Sequence, residues 1–375
     1  MLTLHSDGVL LQKTSNPFES QAVLNPGVIQ VGAITHMFYR AVAPGNFSSI
    51  GYCQLDAANQ VIYRHPEPIL APKFAYEQHG IEDPRIVLCD GIFYLFYVVY
   101  DGTNAQVAYA TATELPTGPH APHFRRHKII SAQLSYGEIT DLCSTVQETY
   151  PFAYFCNHNL KVSPKEDLIT LKEEVLEIAH KILWEKDAFI FPEKIHGKFA
   201  LIHRILPEIQ VLYFDSFEDI SMEFWLKNLD ALQNFTILKP EKGFESRYIG
   251  GGVPPIKTEA GWLFIYHAVE EIAGHRTYRA AAALLDLNDP TKVLGRLPYP
   301  LFEPLEPWEL HGDVNNVVFP SGATVCGDLL RIYYGAADSC IGTKSLSLQA
   351  LLQELLQTTE ARAKAPAPAT VYASA

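Results

Sequence analysis

What the chain lacks narrows it first. Six cysteines stand among 375 residues, Cys53, Cys89, Cys143, Cys156, Cys326 and Cys340, and no two form a CxxC pair. That spacing excludes the common zinc patterns and a dense disulfide framework, so the thiols read as buried and unpaired. No metal centre is expected. No stretch approaches about 18 uninterrupted apolar residues, and the opening MLTLHSDGVLLQKTSNPFE has neither a basic start nor an apolar run. Neither a membrane span nor a secretory leader is expected, which points to the cytoplasm. Positive charge is scarce too: 29 Lys and Arg face 42 Asp and Glu, a net charge of −13. An excess of that sign repels phosphate backbones and anionic lipid, so nucleic acid and membrane surfaces are excluded as general partners. Any anion this chain binds must be held by a local cluster of cations against the overall field.

What is present favours strands. Hydrophobic residues make up 48%, with 19 Tyr and 20 Phe among them, and aromatic richness of this kind suits pleated, buried surfaces. Five segments repeat one pattern of aliphatic and aromatic residues with polar groups toward the end: AITHMFYRAV (33–42), GIFYLFYVVY (91–100), GKFALIHRIL (197–206), GWLFIYHAVE (261–270) and DLLRIYYGAA (328–337). Several follow a Gly-containing turn, as a hairpin entry does. They recur about every 60 residues, the spacing of four-stranded repeats, except for one gap of 106 between 91 and 197. The pattern predicts an all-β fold, a five-bladed β-propeller with one large insertion. A β-sandwich with similar core strands fits periodicity alone equally well. The propeller is preferred because Arg40, His203, Arg204, His267 and Tyr334 recur near the ends of the apolar runs. Buried polar groups need partners, and a central cleft gives all five one destination.

Helical spacing appears in two places. Leu168, Leu171, Val175, Ile178 and Ile182 predict a helix over 166–186, inside an insertion at about 130–186. Leu348, Leu351, Leu352, Leu355 and Leu356 predict a C-terminal helix over 344–358. Each apolar stripe packs on the parent domain or forms a homo-oligomer interface. One catalytic domain is expected over 1–360, followed by a disordered low-complexity tail at 361–375.

The densest polar cluster is Gly80-Ile81-Glu82-Asp83-Pro84-Arg85, just before a strand. Pro84 restricts Asp83, and the reading is an extended residue whose carboxylate is presented from a stiff turn; the plain alternative is a turn with a local ion pair. Lys186 and Asp187, FPEK at 191–194 and His203-Arg204 make a second cluster. A third runs through the glycines at 250–252, Tyr266-His267 and Tyr278. Singly, His267 reads as a satisfied core histidine and Lys186 as a solvated charge at a helix end. Together, Lys186, Arg204, His267 and Tyr278 form a donor set suited to one small oxyanion such as phosphate.

These motifs carry a resemblance. EDPR before an aromatic strand, KDAxxFPEKxxGKxxxxHR, IGGGxPPIxTxxGWLxIYH and GDVxNVVFPSG followed by YYGAAD are similar to glycoside hydrolase family 130, over residues 25–356. The resemblance implies a five-bladed propeller and an inverting β-mannoside phosphorylase, which transfers mannose to inorganic phosphate and releases α-mannose 1-phosphate. Asp83 is then the proton donor, acting through a mannose hydroxyl. Lys186, Arg204, His267 and Tyr278 bind phosphate; Asn25, Arg40, Arg85 and Asp338 bind sugar. Phosphate is a co-substrate and no cofactor is expected. Two departures stand out: Gln106 replaces a basic residue common in relatives, and the insertion has no recognised counterpart.

Three other readings remain. A β-mannosidase on the same fold would use a Glu to activate water, with Glu193 or Glu245 as candidates, Glu193 being read alternatively as the partner of Lys194. A non-catalytic glycan-binding propeller would not need a rigid acid. A three-carboxylate glycosidase is disfavoured because the other repeats do not begin with regular acids.

Overall fold

A computed structural model describes residues 2–143 and 180–364. All five repeated segments are strands, and each lies inside an antiparallel sheet with a neighbour on both sides. After β1 (His5–Leu11), the first unit is β2 (Ala22–Val31), β3 (Ile34–Ala43), β4 (Phe47–Leu55) and β5 (Val61–Arg64). The second is β6 (Gly80–Cys89), β7 (Ile92–Tyr100), β8 (Ala105–Ala112) and β9 (Arg125–Ile129). A single parallel pairing, Ser48 with Gly80, joins these two meanders. The third unit is β10 (Lys186–Ile190), β11 (Phe199–Arg204), β12 (Ile209–Phe214) and β13 (Thr236–Leu238). In the fourth, β14 (Tyr248–Gly251) and β15 (Ile256–Thr258) share β16 (Gly261–Ile272) as partner, and β17 (His275–Leu285) and β18 (Val293–Arg296) follow. The last contains β19 (Val318–Cys326), β20 (Leu329–Ala336) and β21 (Cys340–Ser347), and takes its fourth strand from the other end of the chain, because β1 pairs with β21.

The repeated segments read as continuous apolar runs because both of their faces are buried. Along β16, Trp262, Phe264 and Tyr266 enter one apolar cluster while Leu263 and Ile265 enter another. On β3, Phe38 faces one cluster, and Met37, Tyr39 and Ala41 face a second. Each such side chain contributes about 1.5–3 kcal/mol when fully buried.

Several expectations change. Residues 144–179 of the insertion lie outside the described residues, and most of the helix expected over 166–186 lies with them. Its end is not helical: Ile182 bridges Ser135, the Leu183 amide donates to the Leu134 carbonyl, and Lys186 opens β10. Cross-strand partners here override a helical apolar pattern. The C-terminal helix is Leu348–Lys364, four residues later than expected, since residues 344–347 complete β21. It also continues through 361–364, where a tail was expected; residues 365–375 lie outside the described part. Leu351 and Leu355 are fully buried and Leu356 is exposed, so the stripe packs on the parent domain. Cys53, Cys89 and Cys340 are buried as expected, but Cys326 is exposed at the end of β19.

The shared destination of the polar strand ends holds in part. His203 turns away to Glu185, at 2.8 Å, and the Tyr334 hydroxyl donates to Glu309, at 2.5 Å. Arg40, Arg204 and His267 belong to the site described next. No helix among the described residues is long and apolar enough to cross a membrane.

Candidate active site

The site is built where the first strands of three units break their own alternation. Asn25 in β2, Asp83 in β6 and Asp187 in β10 have φ of 49, 52 and 57°, and each sits at a register shift in its strand. Asn and Asp are the side-chain-bearing residues that best tolerate this left-handed backbone. A bulge inserts an extra residue and re-aims side chains, so neighbours that would point to opposite faces reach the same region. The expectation that Pro84 holds Asp83 extended is therefore corrected. Proline disfavours the right-handed helical region in the preceding residue, and here the bulge takes up the left-handed alternative.

Asp83 is fixed by the amide of Asn25, whose Nδ2 donates to Oδ1 at 2.8 Å, and faces Arg40 Nη1 at 3.8 Å. Gly335 makes room for Asn25, because a Cβ there would collide with the Asn25 side chain. Arg40 donates from Nε to Ser48 Oγ at 2.8 Å and pairs with Glu82 at 2.9 Å. Glu82 also pairs with Lys186, at 3.2 Å. Burial raises the Glu82 carboxyl, but Arg40 and Lys186 outweigh it and hold the group below the ordinary carboxylate range.

The second half of the site centres on Asp187. Arg204 Nη1 lies 2.9 Å from its Oδ2, His267 Nε2 lies 3.9 Å from the same oxygen, and Arg85 Nη2 stands 4.0 Å from Oδ1. Burial works to raise this carboxyl, and the Arg204 guanidinium, with Arg85 behind it, lowers it. The Arg204 guanidinium also covers the Tyr248 ring, 5.0 Å from its centre, and the Tyr248 hydroxyl is 3.0 Å from that of Tyr278. Gly250 is a packing requirement, since a Cβ would strike the His267 ring and crowd Asp187. Complete burial pushes His267 down to about 3, with Asp187 pulling the other way. The imidazole is therefore neutral at any ordinary working pH.

Beside the first of these halves a cavity of about 560 Å³ opens, lined among others by Arg40, Asn46, Glu82, Lys186, Asp313 and Asp338. Asp338 is pushed up to about 6: burial raises it, Arg40 opposes, and Asp83, Asp313 and Glu82 add to the rise. The folded state thus binds this proton more tightly than the unfolded chain, and stability falls as pH rises from about 4 to about 6 and stays lower above. Asp338→Asn should stabilise the protein at pH 7.5 by up to about 3 kcal/mol, several degrees in melting temperature, with no gain near pH 4. Melting curves across pH 4–8 check this.

Eight of the nine residues singled out in the sequence, Arg85 among them, contact one another or Glu82, Asp187 and Tyr248, and Asp338 joins them by lining the cavity with Arg40, Glu82 and Lys186. Arg85 is different in placement. Its side chain is 1% exposed, and it donates to the carbonyls of Asp83, Pro84 and Gly252, at 3.2, 3.2 and 2.6 Å. It braces the turn that presents Asp83. Sequence reasoning passed over Glu82, Asp187, Tyr248 and Asp313. Glu82 and Asp187 offset much of the mutual repulsion among the clustered cations. Gln106 is buried in β8 and does not line the cavity.

The candidates for a water-activating base are engaged elsewhere. Glu193 is exposed and pairs with Lys257, not Lys194, which pairs with Asp90. Glu245 is completely buried, held by Arg296, the Tyr266 hydroxyl and the backbone amides of Glu241 and Lys242.

A polar cavity lined by Arg40, Lys186 and several carboxylates, beside Asp83 and a cluster of paired cations, suits a ligand of the class of polar sugars. The comparisons make that class specific. A family model described as β-1,4-mannooligosaccharide phosphorylase matches residues 6–142 and 143–357, and the chain belongs to glycoside hydrolase family 130. It is 32% identical over 350 residues, 91% of this chain and 95% of the relative, to a 1,2-β-oligomannan phosphorylase of Thermoanaerobacter sp. (strain X514). A β-1,2-mannobiose phosphorylase of the same organism is 30% identical over 90% of this chain and 94% of its own. Among solved structures, the β-1,2-mannobiose phosphorylase of Listeria innocua, in complex with β-1,2-mannobiose, superposes with a TM-score of 0.65 at 20% identity, covering 94% of this chain and 99% of that one.

Proposed function

We propose that this chain is an inverting β-mannoside phosphorylase, a five-bladed propeller in which the five antiparallel units are the blades and residues 1–360 form one catalytic domain. The observation that carries the reading is the meeting of Lys186, Arg204, His267 and Tyr278 from two units, joined to the group around Asp83 through the Lys186–Glu82 pair. Lys186 spends one of its three donors on Glu82 and lines the cavity. With Arg204, a neutral imidazole and a phenol, it forms a seat for phosphate. Phosphate is already anionic at neutral pH and needs positioning more than a base. Its oxygen attacks the anomeric carbon of mannose as the glycosidic C–O bond breaks. A proton from Asp83, passed through a mannose hydroxyl, neutralises the departing oxygen. The products are α-mannose 1-phosphate and the shortened acceptor. Asn25, Arg40 and Asp338 hold the sugar, and Arg85 supports Asp83 from behind. A charged sugar phosphate does not cross membranes unaided, which fits a cytoplasmic location.

Hydrolysis is the second reading, and the site disfavours it. Glu193 and Glu245 do not line the cavity, and Asp187 is a poor base because its cationic neighbours hold it ionised and paired. The deciding experiment supplies β-1,2- and β-1,4-mannobiose with and without phosphate; the two long relatives name the first linkage and the family model the second. Formation of α-mannose 1-phosphate in proportion to added phosphate is expected. Free mannose released at the same rate without phosphate would establish the hydrolase instead.

A further inference from the structure

One buried carboxyl–imidazole contact stands just behind the site and takes no part in the chemistry proposed above. Glu185 Oε1 lies 2.8 Å from His203 Nδ1, and the two side chains are 1% and 0% exposed. The Trp225 ring stands edge-on to His203, with centres 5.4 Å apart at 72°, and Trp225 Nε1 is tied to the Ile130 carbonyl at 2.9 Å. The Glu185 amide donates to the Ala105 carbonyl at 3.1 Å. Among the described residues, neither carboxylate oxygen of Glu185 and neither ring nitrogen of His203 has a hydrogen-bond partner, so the 2.8 Å approach is a close contact without hydrogen-bond alignment. A buried pair left this incomplete is a poor source of stability, because desolvation of both ions offsets their attraction; well-packed apolar residues of similar volume do as well or better.

Its place in the strands suggests another reason for it. Lys186 and Arg204 are direct cross-strand partners in β10 and β11. Glu185 and His203 precede them in sequence and, because the strands are antiparallel, flank that step diagonally, His203 on the side of the bulge. We propose that the Glu185–His203 pair is a positioning element for the anion half of the site: it fixes how the two strands meet at the step where Lys186 faces Arg204. The bulge that follows Lys186 makes the step necessary, since the regular ladder resumes only at Phe189. The Asp187–Arg204 pair at 2.9 Å ties the strands on the side of the bulge, and the Glu185–His203 contact ties them across the step itself. The inference rests on the phosphorylase reading.

Two variants test it. Glu185→Gln keeps shape and removes charge; the double variant Glu185→Leu with His203→Leu replaces the pair by apolar side chains. In both, KM for phosphate should rise about tenfold, the scale of effect expected from displacing a positioned group by a fraction of an ångström. KM for the mannoside should stay within about twofold of wild type, and the double variant should melt no lower than wild type. An unchanged phosphate KM in either folded variant overturns the proposal, as does a parallel rise of both KM values. If the wild-type protein forms no phosphate-dependent product, the phosphorylase reading fails and this inference falls with it. If the wild type depends on phosphate and the variants behave like it, only the inference is lost.

Discussion

Replacing Asp83 with asparagine is expected to lower phosphorolysis by at least about 100-fold, since a positioned general acid contributes roughly 10²–10⁴. The substitution is unusually clean here. Asp83 has a φ of 52°, a conformation that asparagine adopts more readily than almost any residue except glycine. The backbone bulge and the bracing of its carbonyl by Arg85 should therefore survive. Melting temperature should change little, and mannoside binding should persist. Steady-state rates with saturating phosphate, together with calorimetric binding of the mannoside, check both parts. A folded variant with near-normal turnover would remove Asp83 from the mechanism. Binding that survives in a wild type without turnover would favour the glycan-binding alternative.

Removing Arg204 should produce the second large effect, and the structure makes it a double one. Arg204→Ala should raise KM for phosphate at least tenfold, because it takes a fixed cation out of the anion seat. It also leaves the Asp187 carboxylate, 3% exposed, without its nearest partner. Breaking a buried pair from one side costs about 3–5 kcal/mol, so a marked drop in melting temperature is expected as well. Arg204→Ala combined with Asp187→Asn separates the two effects. The double variant should recover much of the lost stability, since the Asp187 carboxylate left without Arg204 is gone, yet keep the elevated phosphate KM. Recovery of phosphate affinity along with stability would mean that Arg204 serves only the fold.

The apolar architecture was legible in the sequence because it depends on patterns a strand cannot hide. A segment such as GWLFIYHAVE is apolar without alternation only if both faces are buried, and β16 places its side chains in two separate clusters. Residues in distinctive motifs were legible too. Asp83, Lys186, Arg204 and His267 stand out by chemical type, and the resemblance to a family ordered them. Glu82 and Asp187 were not legible. Each is adjacent to a residue that was chosen, and a period of two assigns neighbours to opposite faces. The bulges cancel that rule at both places, and nothing in EDP or KDA declares a bulge in advance. Tyr248 was missed for a different reason: its position under Arg204 depends on how β14 meets β11, a contact between residues 44 apart in sequence. The helix expected over 166–186 shows the reverse error at its end, where tertiary pairing of Ile182 and Leu183 outweighs a local helical stripe.

The pairing of β1 with β21 has a consequence for how the molecule is made. His5–Leu11 leaves the ribosome long before its partner Cys340–Ser347, with every other strand made in between. The first four units can complete their sheets from strands close in sequence, as each emerges. The fifth cannot: its outer strand must wait, unpaired, until β21 is made. Closing so long a loop comes late and depends on everything between already being compact. The first strand is thus a clasp that only the arrival of β21 can fasten, and a nascent chain stalled before β21 would carry both an unmatched strand and an unfinished sheet.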